Sequence, residues 1–384
     1  SSLKTYFTYD PVRQGLAFDN VILNSSDLSF SAEGNAFVEV GENEEGGLIG
    51  QFRLNNISAN PLSYYKSSKK IDFATVEFRL FLDPFEVQLE QIYLSDIASD
   101  LEARGSARFA TDQGGWSIFL QAELDKLNYE DLMAYWPRSI NSEQRTWVAT
   151  NIREAKLSNV IYALNYKSKS EQIASLAFAF RDTSFRPVKA FPIVKQAAGL
   201  FSSFDHRLAI IFEQGKLYIP KFDTVDIAGT EFVIPKTKTT PRPSNLKLVG
   251  KGSLKAVVNM LNNPPISVFK SNEKIFNSVD GVIDFKADLE FPLKKEVTAE
   301  EMSYLVYGMI SEFAVPNFNG QEDIYGNKVD FELTNDQNVA LDEINKDLKS
   351  NQKMFRLLQG DVGSGKTIVA LIASANVISS GFQV

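Results

Sequence analysis

The 384 residues include no cysteine and a single histidine, His206. The first absence removes disulfide frameworks, thiol nucleophiles and thiolate zinc sites. The second removes histidine-rich metal centres and makes a Ser-His-Asp triad a poor fit, so His206 is read as an ordinary loop or strand residue. No run of 18 apolar residues occurs, so nothing here has the make-up of a membrane-spanning helix, and no signal peptide with an apolar central region opens the chain. Basic residues are in the minority: 40 Lys and Arg against 48 Asp and Glu give a net charge of -8, which disfavours a general nucleic-acid-binding surface. Apolar material, by contrast, is ample. Hydrophobic residues make up 44%, with 29 Phe and 13 Tyr, while charged residues make up 23%, a balance that excludes a disordered chain. At about 150 residues per domain the length predicts two or three domains. Ser1 stands first, and Gly381 reads as a helix stop with a new element beginning at Phe382, so a fragment at both ends is expected.

From Tyr6 to Phe331 the dominant signal is two-residue alternation, which puts apolar and polar side chains on opposite faces of a pleated strand. Ile283, Phe285, Ala287, Leu289 and Phe291 interleave with Asp284, Lys286, Asp288 and Glu290. Ala74, Val76, Phe78, Leu80 and Leu82 follow the same rule, as do Phe85, Val87 and Leu89, and Ile118, Leu120, Ala122 and Leu124. Turn residues such as Asp83-Pro84 and Gln113-Gly114-Gly115 separate the runs. Helices are expected at Tyr129–Tyr135, Ser142–Ile152 and Leu254–Leu261, with Glu300–Ile310 a further candidate. The fold class expected is mainly β: an elongated, curved antiparallel sheet with a few short helices, followed by a truncated α/β P-loop fragment.

Tyr135-Trp136-Pro137, then Arg145-Thr146-Trp147-Val148 and Asn151-Ile152, resemble the signature segment of the AsmA-like superfamily, in particular the group that includes TamB and YhdP. Gly215-Lys216-Leu217-Tyr218-Ile219-Pro220, Gly229, Leu261-Asn262-Asn263-Pro264-Pro265, Gly281 and Phe291-Pro292-Leu293 follow in the order of that family. The resemblance implies that residues 1–332 are a periplasmic region of a Gram-negative envelope protein, tethered to the inner membrane by an N-terminal anchor that this sequence lacks. It implies no cofactor there. Partners would be phospholipid or other envelope components, carried along an apolar β-groove in lipid transport or outer-membrane maintenance. Phe78, Leu80, Ile283, Phe285 and Leu289 are the candidate lining residues. Alternation by itself favours a closed core instead, since any β-sandwich shows it; only the resemblance favours a trough.

Past Leu333 the pattern changes. Thr334 to Gln337 fits a capping box, and Ala340, Leu341, Ile344 and Leu348 recur at helical spacing. Met354 to Leu358 reads as a short apolar strand. Gly360-Asp361-Val362-Gly363-Ser364-Gly365-Lys366-Thr367 then matches the G-x-x-x-x-G-K-[ST] phosphate loop, with Ile368 to Ile378 as the helix that should follow. Glycines let backbone N–H groups turn toward phosphate oxygens, Lys366 offers a cation, and the Thr367 hydroxyl suits Mg²⁺ when nucleotide is bound. Phe331-Glu332-Leu333-Thr334, Gln337 and Arg356-Leu357-Leu358-Gln359 with the loop itself resemble the start of the motor domain of RecG-type DNA helicases. That resemblance implies ATP and Mg²⁺ as ligands of an intact version, DNA as partner of a complete helicase, a cytoplasmic origin for residues 333–384, and adenine recognition by Gln337. The bare residues of Gln337 imply only the cap. No catalytic residue is assigned, because the acidic strand and arginines that hydrolysis requires do not follow Thr367 within the chain.

The two resemblances point to opposite compartments. Residues 333–384 hold five acids and five bases, so all of the net charge of -8 lies in residues 1–332. The expectation is a chimeric chain, with a β-rich region at 1–332 and a helicase piece at 333–384. An envelope role is the main functional expectation and a helicase fragment the alternative.

Overall fold

The computed structural model describes residues 1–12, 14–39, 47–60, 65, 67–112, 115–168, 172–189, 191–262, 279–294, 297, 301–314, 333–350, 356–360 and 364–379. Its first strands are β1 (Ser2–Asp10), β2 (Gly15–Asn24), β3 (Leu28–Glu39), β4 (Gly47–Ala59), β5 (Lys69–Leu82), β6 (Phe85–Asp96), β7 (Leu101–Asp112) and β8 (Gly115–Asn128). Two helices, α1 (Tyr129–Tyr135) and α2 (Ser142–Asn151), interrupt them. The strands resume as β9 (Ile152–Lys167), β10 (Ile173–Phe185), β11 (Ile193–Phe204), β12 (Arg207–Tyr218), β13 (Thr224–Asp226), β14 (Glu231–Ile234) and β15 (Arg242–Ser253). Helix α3 (Leu254–Asn262) precedes β16 (Asp280–Leu293) and β17 (Ser303–Ala314). Two helices, α4 (Asn335–Leu348) and α5 (Lys366–Ser379), complete the described elements.

All seventeen strands belong to one antiparallel sheet. Each pairs with its neighbour in sequence; the short β13 and β14 are two pieces of one row, both set between β12 and β15. Register slips recur in the ladders, between Phe18 and Val21, Leu89 and Ile92, Ala177 and Ala179, and Lys195 and Ala198. Such bulges bend the strand that carries them and increase its twist, so they curve the sheet.

The registers put the apolar residues of successive strands on one face. Phe7 lies opposite Phe18, Phe18 opposite Gly34, Gly34 opposite Phe52, Phe52 opposite Val76, and Val76 opposite Ile92. Facing rings touch as a ladder: centroids are 5.9 Å apart for Phe7–Phe18, 5.2 Å for Phe18–Phe52 and 5.8 Å for Phe52–Phe78. Gly34 and Gly50 make room for it. A Cβ on Gly34 would stand 2.1 Å from the Gln51 carbonyl oxygen and 2.7 Å from the Phe52 ring, and one on Gly50 2.6 Å from the Phe78 ring. The opposite face carries Glu33, Arg53, Glu77, Arg79, Glu86, Arg104, Arg108 and Glu123, joined by pairs such as Arg108–Glu86, whose two hydrogen bonds measure 2.6 and 2.8 Å.

From β9 onward the same face closes into a packed cluster. Leu157, Val160, Phe180, Val194, Ala197, Phe212, Leu217 and Val225 are buried there with Phe285 and Ala287 of β16. Helix α3 seals it with Ala256, Val257 and Met260, all of them buried. Burial at about 25 cal/mol per Å² of apolar surface makes this cluster the main stabilising mass of the sheet region.

The helices at Tyr129–Tyr135 and Ser142–Asn151 and the one beginning at Leu254 fall where the sequence places them. One expectation is corrected: the Glu300–Ile310 helix is instead strand β17, in which Tyr304 faces Leu289 and Val306 faces Ala287. Pairing with β16 supplied the backbone partners that local helix propensity would otherwise have taken. The strand expected at Met354–Leu358 does not form in its described part, since 356–360 have no regular structure, while Met354 and Phe355 lie outside the described residues. Among the described residues no neighbouring strand stands there for 356–358 to bond with, whereas the helices on either side satisfy their own backbone.

Two outcomes follow from the sheet. Gly34→Val should lower stability by about 2 kcal/mol or more, because the added Cβ meets backbone rather than a movable side chain; a denaturant midpoint measures it. The Arg108 guanidinium holds the Glu86 carboxyl below its ordinary range, chiefly through the hydrogen bond between them. Stability linked to this pair is therefore present above the ordinary carboxylate range and is lost as pH falls through the depressed value. Arg108→Gln should move the Glu86 titration upward, read from carboxyl chemical shifts.

Candidate nucleotide-binding site and the apolar face

Helix α4 begins at a complete capping box. The Gln337 N–H donates to Thr334 Oγ1 at 3.3 Å, and Gln337 Oε1 accepts from the Thr334 N–H at 3.0 Å. Leu341 and Ile344 fall on one face of α4 and Ile368, Val369 and Ala373 on one face of α5. The two helices bury these residues together with Leu333, with Leu358 and Ile372 at the margin. Leu357 lies 86% exposed. Arg356 fastens the segment before the loop to α4 by pairing with Asp347, at 2.7 Å from Nη2, and with Glu343. Asn376 Nδ2 donates to Asn345 Oδ1 at 3.0 Å across the helix pair.

The loop residues sit between these anchors. Gly360, Ser364 and Gly365 are described, with Lys366 and Thr367 opening α5; Asp361, Val362 and Gly363 lie outside the described residues. Gly365 has φ +79°, in the left-handed region that favours glycine, and a Cβ there would come within 2.3 Å of Gln337 Nε2 and displace that side chain. The Lys366 ammonium spans the loop and donates to the Gly360 carbonyl oxygen at 2.6 Å. Ser364 and Thr367 are exposed. The helix dipole and the N–H groups of the first turn make the start of α5 suited to an anion. These residues fit a polyphosphate: a cation, helix-start amides and a hydroxyl able to reach a divalent ion converge at one helix start. Among the described residues no group of three or more His, Asp or Glu is placed to hold a metal on its own.

The candidate lining residues separate into two groups. Phe78 and Leu80 are half-buried on β5 and face the apolar side, with Leu80 opposite Leu48 and Val87. This part of the face leaves large apolar side chains open, such as Leu82 at 77% and Trp116 at 51% exposure. Ile283, Phe285 and Leu289 stand on β16 in the packed cluster: Phe285 is buried against Gly250, with Ile283 and Leu289 at its margin. Phe18 and Phe52 belong with Phe78 and were not singled out from the sequence. The signal that could have found them is a glycine one strand away from each ring.

The Tyr135-Trp136-Pro137 block is held by a chain of polar contacts. Tyr65 Oη donates to the Tyr135 carbonyl at 2.9 Å, Tyr135 Oη to Asp96 Oδ2 at 3.1 Å, and Trp136 Nε1 to the Ile140 carbonyl at 2.8 Å. Arg145 caps the carbonyls of Met133 and Trp136 at 2.9 Å each. The Lys69 ammonium lies 5.2 Å from the Tyr65 ring centroid and 5.5 Å from that of Tyr135. Burial pushes the hydroxyls of both tyrosines above their ordinary range. These residues tie α1 to two turns of the sheet.

Comparison with known proteins finds relatives over a short stretch. The chain is similar to the ATP-dependent DNA helicase RecG of Borreliella burgdorferi, with 59% identity over 54 residues, 14% of this chain and 8% of that helicase. RecG of Aquifex aeolicus is 56% identical over 57 residues, 15% and 7% of the two chains. RecG of Treponema pallidum is 52% identical over 54 residues, 14% and 8%. The match thus spans less than a tenth of the length of these helicases. A stretch of this size is what residues 331–384 provide. No family model matches the chain, and no solved structure matches it.

Proposed function

We propose that residues 333–384 are the opening piece of a RecG-type helicase motor and bind the phosphates of ATP. The observation that carries this is the phosphate-loop sequence at the start of α5, with Gly365 at positive φ and Lys366 bridging to Gly360, in a chain that shares 59% identity with a RecG helicase over 54 residues. The backbone N–H groups at the start of α5 and Lys366 hold the polyphosphate, and the Thr367 hydroxyl offers an oxygen to Mg²⁺. Bound Mg²⁺ would neutralise phosphate charge. These residues account for holding the phosphates, and turnover needs further acidic and arginine groups that they do not include. DNA is a partner of the complete helicase only, and a cytoplasmic setting belongs to this segment.

A second reading concerns residues 1–332, taken as a separate unit of AsmA-like type in the cell envelope. Its support is the uninterrupted apolar face of β1 to β8, on which half-buried Phe18, Phe52, Phe78 and Leu80 form one strip. Such a strip suits acyl chains of phospholipid. Joined by chance or by design, the two units act independently.

Lys366→Ala should abolish ATP binding measured by calorimetry while the sheet stays folded, and ATP turnover by the parent chain should equal that of buffer. Turnover that the substitution removes would show that the β-rich region completes the site. For the strip, Phe78→Glu should lower crosslinking to a photoactivatable phospholipid several-fold with the thermal transition retained, since Phe78 is half-buried. Phe285→Glu should instead cost several kcal/mol of stability, because it puts a charge into the packed cluster. Parent crosslinking no higher than that of an unrelated β-sandwich would rule the strip out as a lipid surface.

A further inference from the structure

The Gln337 side chain does more than close a cap. Beyond the bond from the Thr334 N–H to Oε1, its Nε2 donates to the Ser364 carbonyl oxygen at 2.9 Å, 27 residues further along the chain. The same nitrogen packs against Gly365, where any Cβ would meet it at 2.3 Å. The amide therefore rests on the peptide that joins Ser364 to Gly365. The next peptide follows directly into α5: the Gly365 carbonyl accepts from the N–H groups of Ile368 at 3.0 Å and Val369 at 3.4 Å. Any rotation of the Ser364–Gly365 peptide would swing the amides at the helix start, which are the donors a phosphate needs.

We propose that Gln337 is a positioning residue for the phosphate loop, locking the Ser364–Gly365 peptide through Nε2, and that this role is independent of any contact with a base. It rests on the reading of 333–384 as a phosphate-binding segment. The chemistry is a division of labour within one amide: the carbonyl oxygen serves α4 and the amino group serves the loop. Leu341 and Ile344 of α4 pack with Ile368 and Val369 of α5, so the tie joins two elements that are already held together at their buried faces. One polar bond then fixes the orientation of the loop that hydrophobic packing, being non-directional, leaves free.

The test compares ligands with and without a base on the full 384-residue chain. Isothermal titration with ATP and with inorganic tripolyphosphate, both with Mg²⁺, is run on the parent, Gln337→Ala and Thr334→Ala. Gln337→Ala should weaken tripolyphosphate about fivefold, the loss expected for one hydrogen bond, and ATP by at least that factor. Thr334→Ala, which breaks the cap at its hydroxyl but leaves Nε2 on Ser364, should weaken neither. A loss confined to ATP would make Gln337 a base reader and overturn the proposal, as would equal losses in the two variants, which would reduce it to a cap. If the parent binds neither ligand, the phosphate reading fails, and amide hydrogen exchange decides the positioning claim alone. Ile368 and Val369 should exchange several-fold faster in Gln337→Ala than in Thr334→Ala, and equal rates would refute it.

Discussion

An aromatic ring that lies across a β-sheet needs a residue beneath it with almost no side chain, and much of this molecule is arranged around that need. Phe52 and Phe78 are large, and the adjacent strands offer Gly34 and Gly50 where they pass. Further along, the Phe285 ring covers Gly250, where an added Cβ would come within 2.2 Å of it. Large and small residues thus alternate across strands as well as along them. Packing of this kind gains contact area without a second layer of structure, and it explains how a single sheet with few helices keeps its apolar face ordered.

Much of the architecture could be read from the sequence because strand alternation is a local property. Ile283 to Phe291 and Ala74 to Leu82 declare their faces without reference to anything distant. The capping box at Thr334 and Gln337 is equally local. What could not be read was set by partners far along the chain. Residues 303–310 carry Tyr304, Leu305, Val306 and Tyr307 in a row, a pattern that suits a helix or a strand, and only pairing with β16 decided it. Whether Phe285 faces a trough or a packed cluster depended on where α3 came to rest, which no spacing encodes. At the loop, the motif named its glycines and lysine, while the bond from Gln337 to Ser364 spans 27 residues and leaves no trace in either segment.

Charge divides the molecule along the same line as hydrophobicity. In the sheet, acids and bases alternate on the face away from the aromatic ladder, and pairs such as Lys156–Asp182 and Lys126–Asp100 join side chains that remain largely in water. Such pairs add little stability one by one, and their value lies in keeping that face soluble. Around the loop the ion pairs have a different use. Arg356 holds two carboxylates of α4, so the segment entering the loop is anchored by charge where it lacks a strand to anchor it by backbone bonds.

The order of the strands has a consequence for how the sheet behaves as a piece of chain. Because each described strand bonds only to those beside it in sequence, or across the divided row of β13 and β14, most pairings close short turns, the longer connections being those through α1 and α2 and through α3, and the entropy cost of assembly is met largely one hairpin at a time. The part from β1 to β8 is in effect a one-dimensional stack, stabilised by terms between neighbours, as in repeat proteins. Such a stack can gain or lose strands at its β1 end while the pairing of the strands that remain is unchanged. Length in this part of the molecule is thus a free variable, set by the gene and not by the closure of a fold.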